Sequence, residues 1–437
     1  MNSKFVAWPN WLGRSAVAAI VLAGVSISAA EAQTASSDSL NLSGALNLAL
    51  ENNPITSAAR EEIRAAEAEA LQAGLWDNPT LGAEVEEFGG DRGGLGDADT
   101  TLSINQTIPL GGDRGRAREA ASAWALAARS DLALQRTRLL ASTAQAYVEA
   151  QAASETLSLR MELLEIANNS ADAIQARVEA GRASPIERNR AEMLVGLATI
   201  AANDASGAQL AANAQLVAIW SGAVINGELT PPLQAFDLTA YSDAQPTDWI
   251  ANNPELVQLR AVTRARGQEI RRERAGAIPD VTVGAGVRRF GGTDETAFVA
   301  TLEIPIPVVN RNQGGVAAAA SRENAARLNE EVMRRSLIAQ YASSAGRFAR
   351  AQSTYTQLND SILPASESAL GAAQEAYREG ALDVLNFLDI QRSYFDVRVD
   401  LISARAELAR AAIELDALAG APQLNRLVET NPEEAVQ

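Results

Sequence analysis

Few residues in this chain could do chemistry, and the ones that could are acidic. Glu84 and Glu86, two positions apart, look like the paired carboxylates that glycoside hydrolysis requires. Leu81, Ala83 and Val85 alternate with them, however, which puts both acids on the polar face of a strand with no substrate pocket implied. Asp383, Asn386 and Asp389 recur every three residues and share one helix face. The chain has 0 histidines and 0 cysteines. That removes Ser-His-Asp chemistry, zinc sites of the usual ligand types, thiol catalysis, disulfides and an acylated N-terminal cysteine. Only Met1, Met161, Met193 and Met333 carry sulfur, so no soft-metal capture site is expected, and no cofactor. The chain is not expected to be an enzyme.

The rest of the composition points the same way. Of 437 residues only 5% are aromatic, while alanine is abundant, which suits long close-packed helices. Residues 1–32 read as a secretory signal. Lys4 and Arg14 precede an apolar run from Ala16 to Ala30, and Ala30-Glu31-Ala32 supplies the cleavage site. That run falls short of the roughly 20 residues a membrane helix needs. Its removal deletes two basic residues and one acidic residue and moves the net charge from −17 to −18. So acidic a chain lacks the clustered Lys and Arg that nucleic acid demands.

The elements that must position these residues come twice. Asn52-Asn53-Pro54 returns as Asn252-Asn253-Pro254, Pro79 as Pro279, Phe88-Gly89-Gly90 as Phe290-Gly291-Gly292, Ile108-Pro109 as Ile306-Pro307, and Gly181 as Gly380. Five landmarks in one order, 198 to 202 residues apart, describe a tandem duplication, with repeats over 33–230 and 231–437. In the first repeat, Ser43 caps a helix running to about Gly74. Strands follow at about 80–88 and 100–108, then a helix from Asp113 to about Glu179 and another from Ile186 to about Trp220. The first of these helices would reach roughly 100 Å. Residues 221–246, rich in Pro, Gly and Asp, read as the link.

The second repeat predicts a helix over 247–275 and strands at about 280–289 and 296–304. A helix from Gln313 to Glu379 follows, kinked at Pro364, and a last helix over 383–419. In that last helix Phe387, Tyr394, Leu401, Leu408 and Leu415 recur every seven residues, beside a second file of Leu388, Phe395, Ile402 and Ala409. Two adjacent files make a seam wide enough for two neighbours. Tyr341, Phe348 and Tyr355 read as core, and residues after Pro422 as a polar tail.

Four strands of membrane-spanning length cannot close a barrel, since single-chain membrane barrels begin at about 8. Identical chains must share one, and a trimer supplies twelve strands and twelve helical columns. The order of elements, with Asn53-Pro54, Asn253-Pro254, the run from Pro109 to Arg114, and Tyr377-Arg378-Glu379-Gly380, resembles the TolC-like outer-membrane efflux proteins over nearly the whole mature chain. The run from Asn310 to Gly314 looks most like the branch serving cobalt–zinc–cadmium efflux pumps of the RND type. The resemblance implies a homotrimer with a 12-stranded barrel in outer-membrane lipid and a 12-column helical barrel in the periplasm. It implies a passive exit channel docked to a periplasmic adaptor and an inner-membrane RND pump, exporting heavy-metal cations. A multidrug or type I secretion exit channel, or a periplasmic adaptor, are the alternatives. An adaptor would carry one helical hairpin rather than two copies with strand pairs.

The family closes its tunnel after the Tyr-x-x-Gly turn. Aligned on Gly380, its two ring-forming aspartate positions fall on Asn386 and Asp389. The first departs from the pattern, and Asp383 one turn earlier is a candidate replacement. The plainer reading of these acids is a solvated helix N-terminus, where Asp is favourable. Glu187, Arg188 and Arg190, at the matching turn marked by Gly181, are candidates to pair with the gate, while Tyr377 and Gly380 form the second tip. Glu84, Glu86, Arg288 and Glu303 are candidate lumen residues, and arginines near Gly112 and Asn310 are expected at the barrel–helix junction.

Overall fold

The computed structural model describes residues 39–89, 94–220, 228–241 and 246–429. The predicted signal segment and part of the predicted link, 221–227 and 242–245, fall outside the described residues. Element order in the first repeat is α1 (Leu42–Asn52), α2 (Pro54–Gln72), β1 (Thr80–Glu86), β2 (Asp99–Ile108), α3 (Asp113–Glu179) and α4 (Pro185–Ala218). In the second it is α5 (Pro246–Asn252), α6 (Pro254–Ala275), β3 (Val281–Arg289), β4 (Thr296–Glu303), α7 (Gln313–Gln357), α8 (Leu363–Arg378), α9 (Val384–Leu418) and α10 (Pro422–Glu429).

Three expectations need correction. The first helix of each repeat is two helices broken at the Asn-Pro pair, because proline fits the first helical position but denies the preceding residue a helical backbone. Asn53 and Asn253 both leave the helical region at that break, with ψ at 125° and 126°, and each side-chain oxygen caps the helix that follows, accepting from Ile55 N at 2.9 Å and from Glu255 N at 3.0 Å. Each amide nitrogen donates to the carbonyl ending the return helix of its own repeat, Ile219 at 2.7 Å and Leu418 at 3.0 Å. The repeated motif is therefore a clip between the start and end of each copy. Secondly, Asn41 rather than Ser43 caps α1, and the Ser43 hydroxyl donates instead to Leu427 O at 2.6 Å. Thirdly, residues 422–429 are helix α10 rather than tail, with Leu424 fully buried.

The kink expected at Pro364 takes the form of a π-helical segment, Leu358–Ile362, immediately before it. Proline lacks a donor and crowds the carbonyl four residues back, and widening the turn relieves both. The core gathers helices of both repeats: Tyr147 and Leu140 from α3, Leu216 from α4, Phe348 from α7, and Leu408, Ile413 and Leu415 from α9. Tyr341 and Tyr355 pack against it. Tyr147, whose hydroxyl donates to Leu40 O at 2.7 Å, has its pKa pushed up to about 12 by burial. Along the α3–α9 seam, Glu149–Arg410 at 2.6 Å, Glu162–Arg398 at 2.9 Å and Glu155–Arg405 form cross-repeat ion pairs. Solvent-reached pairs of this kind each contribute little to stability.

Asp416 is fully buried, and its carboxylate accepts from Gln423 N and Leu424 N, both at 3.0 Å, capping α10. Burial is the larger influence and raises its pKa above the usual 3.8. A raised folded-state pKa means the proton is held more tightly in the native state, so the contribution is complete below about pH 4 and falls as pH rises through the raised value. Against Asp416→Asn, which keeps an acceptor without the charge, wild type should lose relative stability above pH 4, by at most about 1.4 kcal/mol per pH unit. Paired thermal melts across pH test this. A pH-independent difference would remove Asp416 as the source.

Candidate functional site

Two helical tips stand at the end remote from the strands. Each closes with glycine in the left-handed region, Gly181 at φ 69° and Gly380 at φ 79°. The backbone bonds that follow, Arg182 N to Arg177 O at 2.7 Å and Ala381 N to Ala376 O at 2.8 Å, complete the same helix-terminating motif twice. The tips are tied to each other. Arg177 donates to the Tyr377 hydroxyl at 3.0 Å, and Tyr377 stacks on Phe387 with centroids 4.9 Å apart. Ile174, Ala191 and Val384 are buried beneath them.

Asp383 is the N-cap of α9. Its carboxylate accepts from Leu385 N at 2.9 Å and Asn386 N at 3.1 Å, and the Asn386 side chain donates to its other oxygen at 2.5 Å. The Asn386 backbone bond leads the causes that hold this acid below the usual carboxylate range. Asp383 and Asn386 thus satisfy each other, and Asp389, two turns on, is exposed. The pairing anticipated with the first tip is not formed within one chain. Glu187 is taken up in a capping box with Ser184, and Arg188 turns toward Glu192 at 3.8 Å. Arg190 is exposed, with no ion pair among the described residues.

At the other end, the sheet runs in the order β1-β2-β3-β4, antiparallel throughout. Its register sets Glu84 opposite Thr101, Thr101 opposite Arg288, and Thr282 opposite Glu303, so Glu84, Glu86, Arg288 and Glu303 share a single face. Arg288 pairs with Glu86 and donates to Thr101 Oγ1 at 2.9 Å, which leaves Glu84 and Glu303 as the acids of that set with no ion pair among the described residues. Between these charged ends the face is small and polar. The Asn105 and Ser103 side chains lie over Gly284 and Gly286, where an added Cβ would come within 2.0 Å of Asn105 Oδ1 and 3.0 Å of Ser103 Cβ. Alternation alone places these residues beside the acids, though their role was not anticipated. The opposite face is apolar and bare, with Leu81 at 83%, Phe298 at 93% and Leu302 at 65% exposure. β1 and β4 each keep one edge with no partner among the described residues. No described helix is long and apolar enough to cross a membrane.

The strand-to-helix turns repeat as well. Gly112 (φ 66°) and Asn312 (φ 54°) are left-handed N-caps of α3 and α7. Asn312 also donates to Glu273 O at 2.8 Å, so the run from Asn310 to Gly314 is a turn that fixes the strand pair to α6.

Comparison with known proteins agrees with this geometry. The family model described as "Outer membrane efflux protein" matches residues 45–222 and again 246–421. The chain is 27% identical over 389 residues to the cobalt-zinc-cadmium resistance protein CzcC of Cupriavidus metallidurans, covering 87% of this chain and 90% of that one. It is 30% identical over 336 residues to the nickel-cobalt-cadmium resistance protein NccC of Alcaligenes xylosoxydans xylosoxydans, covering 75% of each. The open-state crystal structure of the Neisseria gonorrhoeae MtrE outer membrane channel superposes with a TM-score of 0.70 at 20% identity, over 87% of this chain and 88% of that one. With the family model matched once in each repeat and the strand and tip geometry duplicated in step, this chain belongs to the outer membrane efflux protein family.

Proposed function

We propose that three copies of this chain form one passive conduit: a 12-stranded barrel in the outer membrane, continued by a 12-column helical barrel through the periplasm. The observation that carries this is the four-stranded sheet, with one apolar bare face, one polar face and two open edges. Exposed edges of seven and eight residues invite strand pairing. If β4 of one copy meets β1 of the next, the edges close around a lumen lined by Glu84, Glu86, Arg288 and Glu303, and the apolar face turns to lipid. The tips would meet a periplasmic adaptor and, through it, an inner-membrane RND pump.

Heavy-metal cations are the proposed cargo. CzcC and NccC carry cobalt, zinc, cadmium and nickel in their names. A cation leaving through this conduit passes carboxylates and amide or hydroxyl groups but no thiol or imidazole, so it is guided without being trapped. Gene deletion tests the cargo, and the mass of the purified protein tests the shared barrel. The strain should lose several-fold in tolerance to zinc, cobalt or cadmium, and the detergent-solubilised protein should have the mass of three chains. A deletion strain sensitised only to organic compounds would move the cargo to drugs, and a monomeric species would defeat the shared barrel.

A further inference from the structure

Just below the strands, where α3 begins and α6 ends, the surface changes from bare apolar to basic. Arg116, Arg118 and Arg271 line one open groove of about 640 Å³ between the two helices, with Glu119 as its only acid. Arg116 pairs with Glu119 at 2.7 Å and Arg271 donates to Gln268 Oε1 at 3.3 Å, while Arg118 makes no ion pair among the described residues. These side chains leave the groove with a surplus of two positive charges. The backbone dipole of α3 does not account for Arg116 and Arg118, since cations are disfavoured near a helix N-terminus.

The groove borders a collar of exposed apolar residues. The stem of Arg118 lies against Gly74, where an added Cβ would come 3.0 Å from its Cδ. Leu75 (53%) and Trp76 (55%) follow directly, and Arg114 sits over the Trp76 ring at 4.1 Å. Leu110, Ile306, Val308 and Val309, in the segments that leave β2 and β4, are 60–83% exposed. At about 1.5 Å per residue, Arg116 and Arg118 lie within roughly 8 Å of the start of α3, and Arg271 about 6 Å from the end of α6. All three guanidinium groups can snorkel up to the level where acyl chains end and headgroups begin.

We infer that this groove binds the anionic headgroup of an inner-leaflet phospholipid, such as phosphatidylglycerol, whose acyl chains lie on the apolar collar. The inference rests on the outer-membrane barrel proposed above. Charge complementarity selects an anion, continuity with the lipid-facing sheet selects a lipid, and guanidinium groups suit a phosphate diester through paired N–H donors.

The test is native mass spectrometry of the whole protein in neutral detergent, incubated with phosphatidylglycerol or with phosphatidylcholine of matched chains. Phosphatidylglycerol should be retained about tenfold better, and Arg116→Gln/Arg118→Gln/Arg271→Gln should bring the ratio close to one. The matching triple lysine variant should restore much of the preference. Equal retention by wild type, a ratio the glutamine variant leaves untouched, or displacement of the lipid by inorganic phosphate alone would each overturn it. So would loss of the trimer in the glutamine variant, which would make the groove a contact between copies. Planar-bilayer conductance separates the two proposals. The glutamine variant should conduct like wild type, and a wild type that forms no pore refutes the channel without bearing on the lipid ratio.

Discussion

Asp389→Ala is expected to lower the cation preference of the reconstituted channel on the order of tenfold and to weaken block by divalent cations, with the helices unchanged. Of the three residues spaced along that face, Asp383 is spent on capping α9 and Asn386 is bound to Asp383, so Asp389 alone keeps an exposed carboxylate with no hydrogen bond or ion pair among the described residues. In a trimer with copies about 8 Å apart, each pair of ring carboxylates repels by roughly 2 kcal/mol at an effective dielectric near 20. A cation entering the ring relieves that repulsion, which makes the ring selective and salt-sensitive. Reversal potentials in asymmetric salt measure the effect. Asp383→Ala should instead mainly cost the helix cap, about 0.5–2 kcal/mol, with a much smaller change in selectivity. If Asp389→Ala left the reversal potential where it was and Asp383→Ala moved it, the assignment of the two residues would have to be exchanged.

Leu408→Ala should be the most damaging single truncation outside the tips, costing about 2–5 kcal/mol. Leu408 is 0% exposed and lies in the core where α3, α4, α7 and α9 pack together. Because both repeats contribute to that core, the cavity would loosen one copy from the other as well as α9 from its neighbours. The temperature at which the detergent-solubilised assembly dissociates should fall by several degrees. Ile402→Ala, one heptad earlier in the neighbouring file and only half-buried, should cost distinctly less. Equal losses at the two positions would mean the core carries less of the stability than its burial indicates.

Much of this molecule could be read without coordinates, and what could not has a common cause. Duplication, strand alternation, the proline-free run from Asp113 to Glu179 and the glycines of both tips are local signals, and local backbone preference suffices to place them. The break at Asn53-Pro54 is also a local signal, yet the surrounding run, rich in Ala, Glu and Arg, masks it. Its purpose was not local at all. Asn53 and Asn253 each hold a carbonyl about 165 residues away, a bond that exists only once the return helix has come back.

The acidic face shows the same division. Spacing put Asp383, Asn386 and Asp389 in line, but could not say which carboxylate would be consumed. That depended on α9 starting at Val384, which made Asp383 a cap and left Asp389 free. Likewise Arg288 was placed near Glu86 only by pairing across three strands, and the pairing decides which lumen acids have no ion pair among the described residues. The amino-acid order by itself determined the elements, their duplication and the polarity of each face, because those follow from neighbours within a few residues. Which charges are spent, which carbonyls are held and which edges stay open was decided only by the tertiary fold, because each needs a partner supplied by a distant part of the chain.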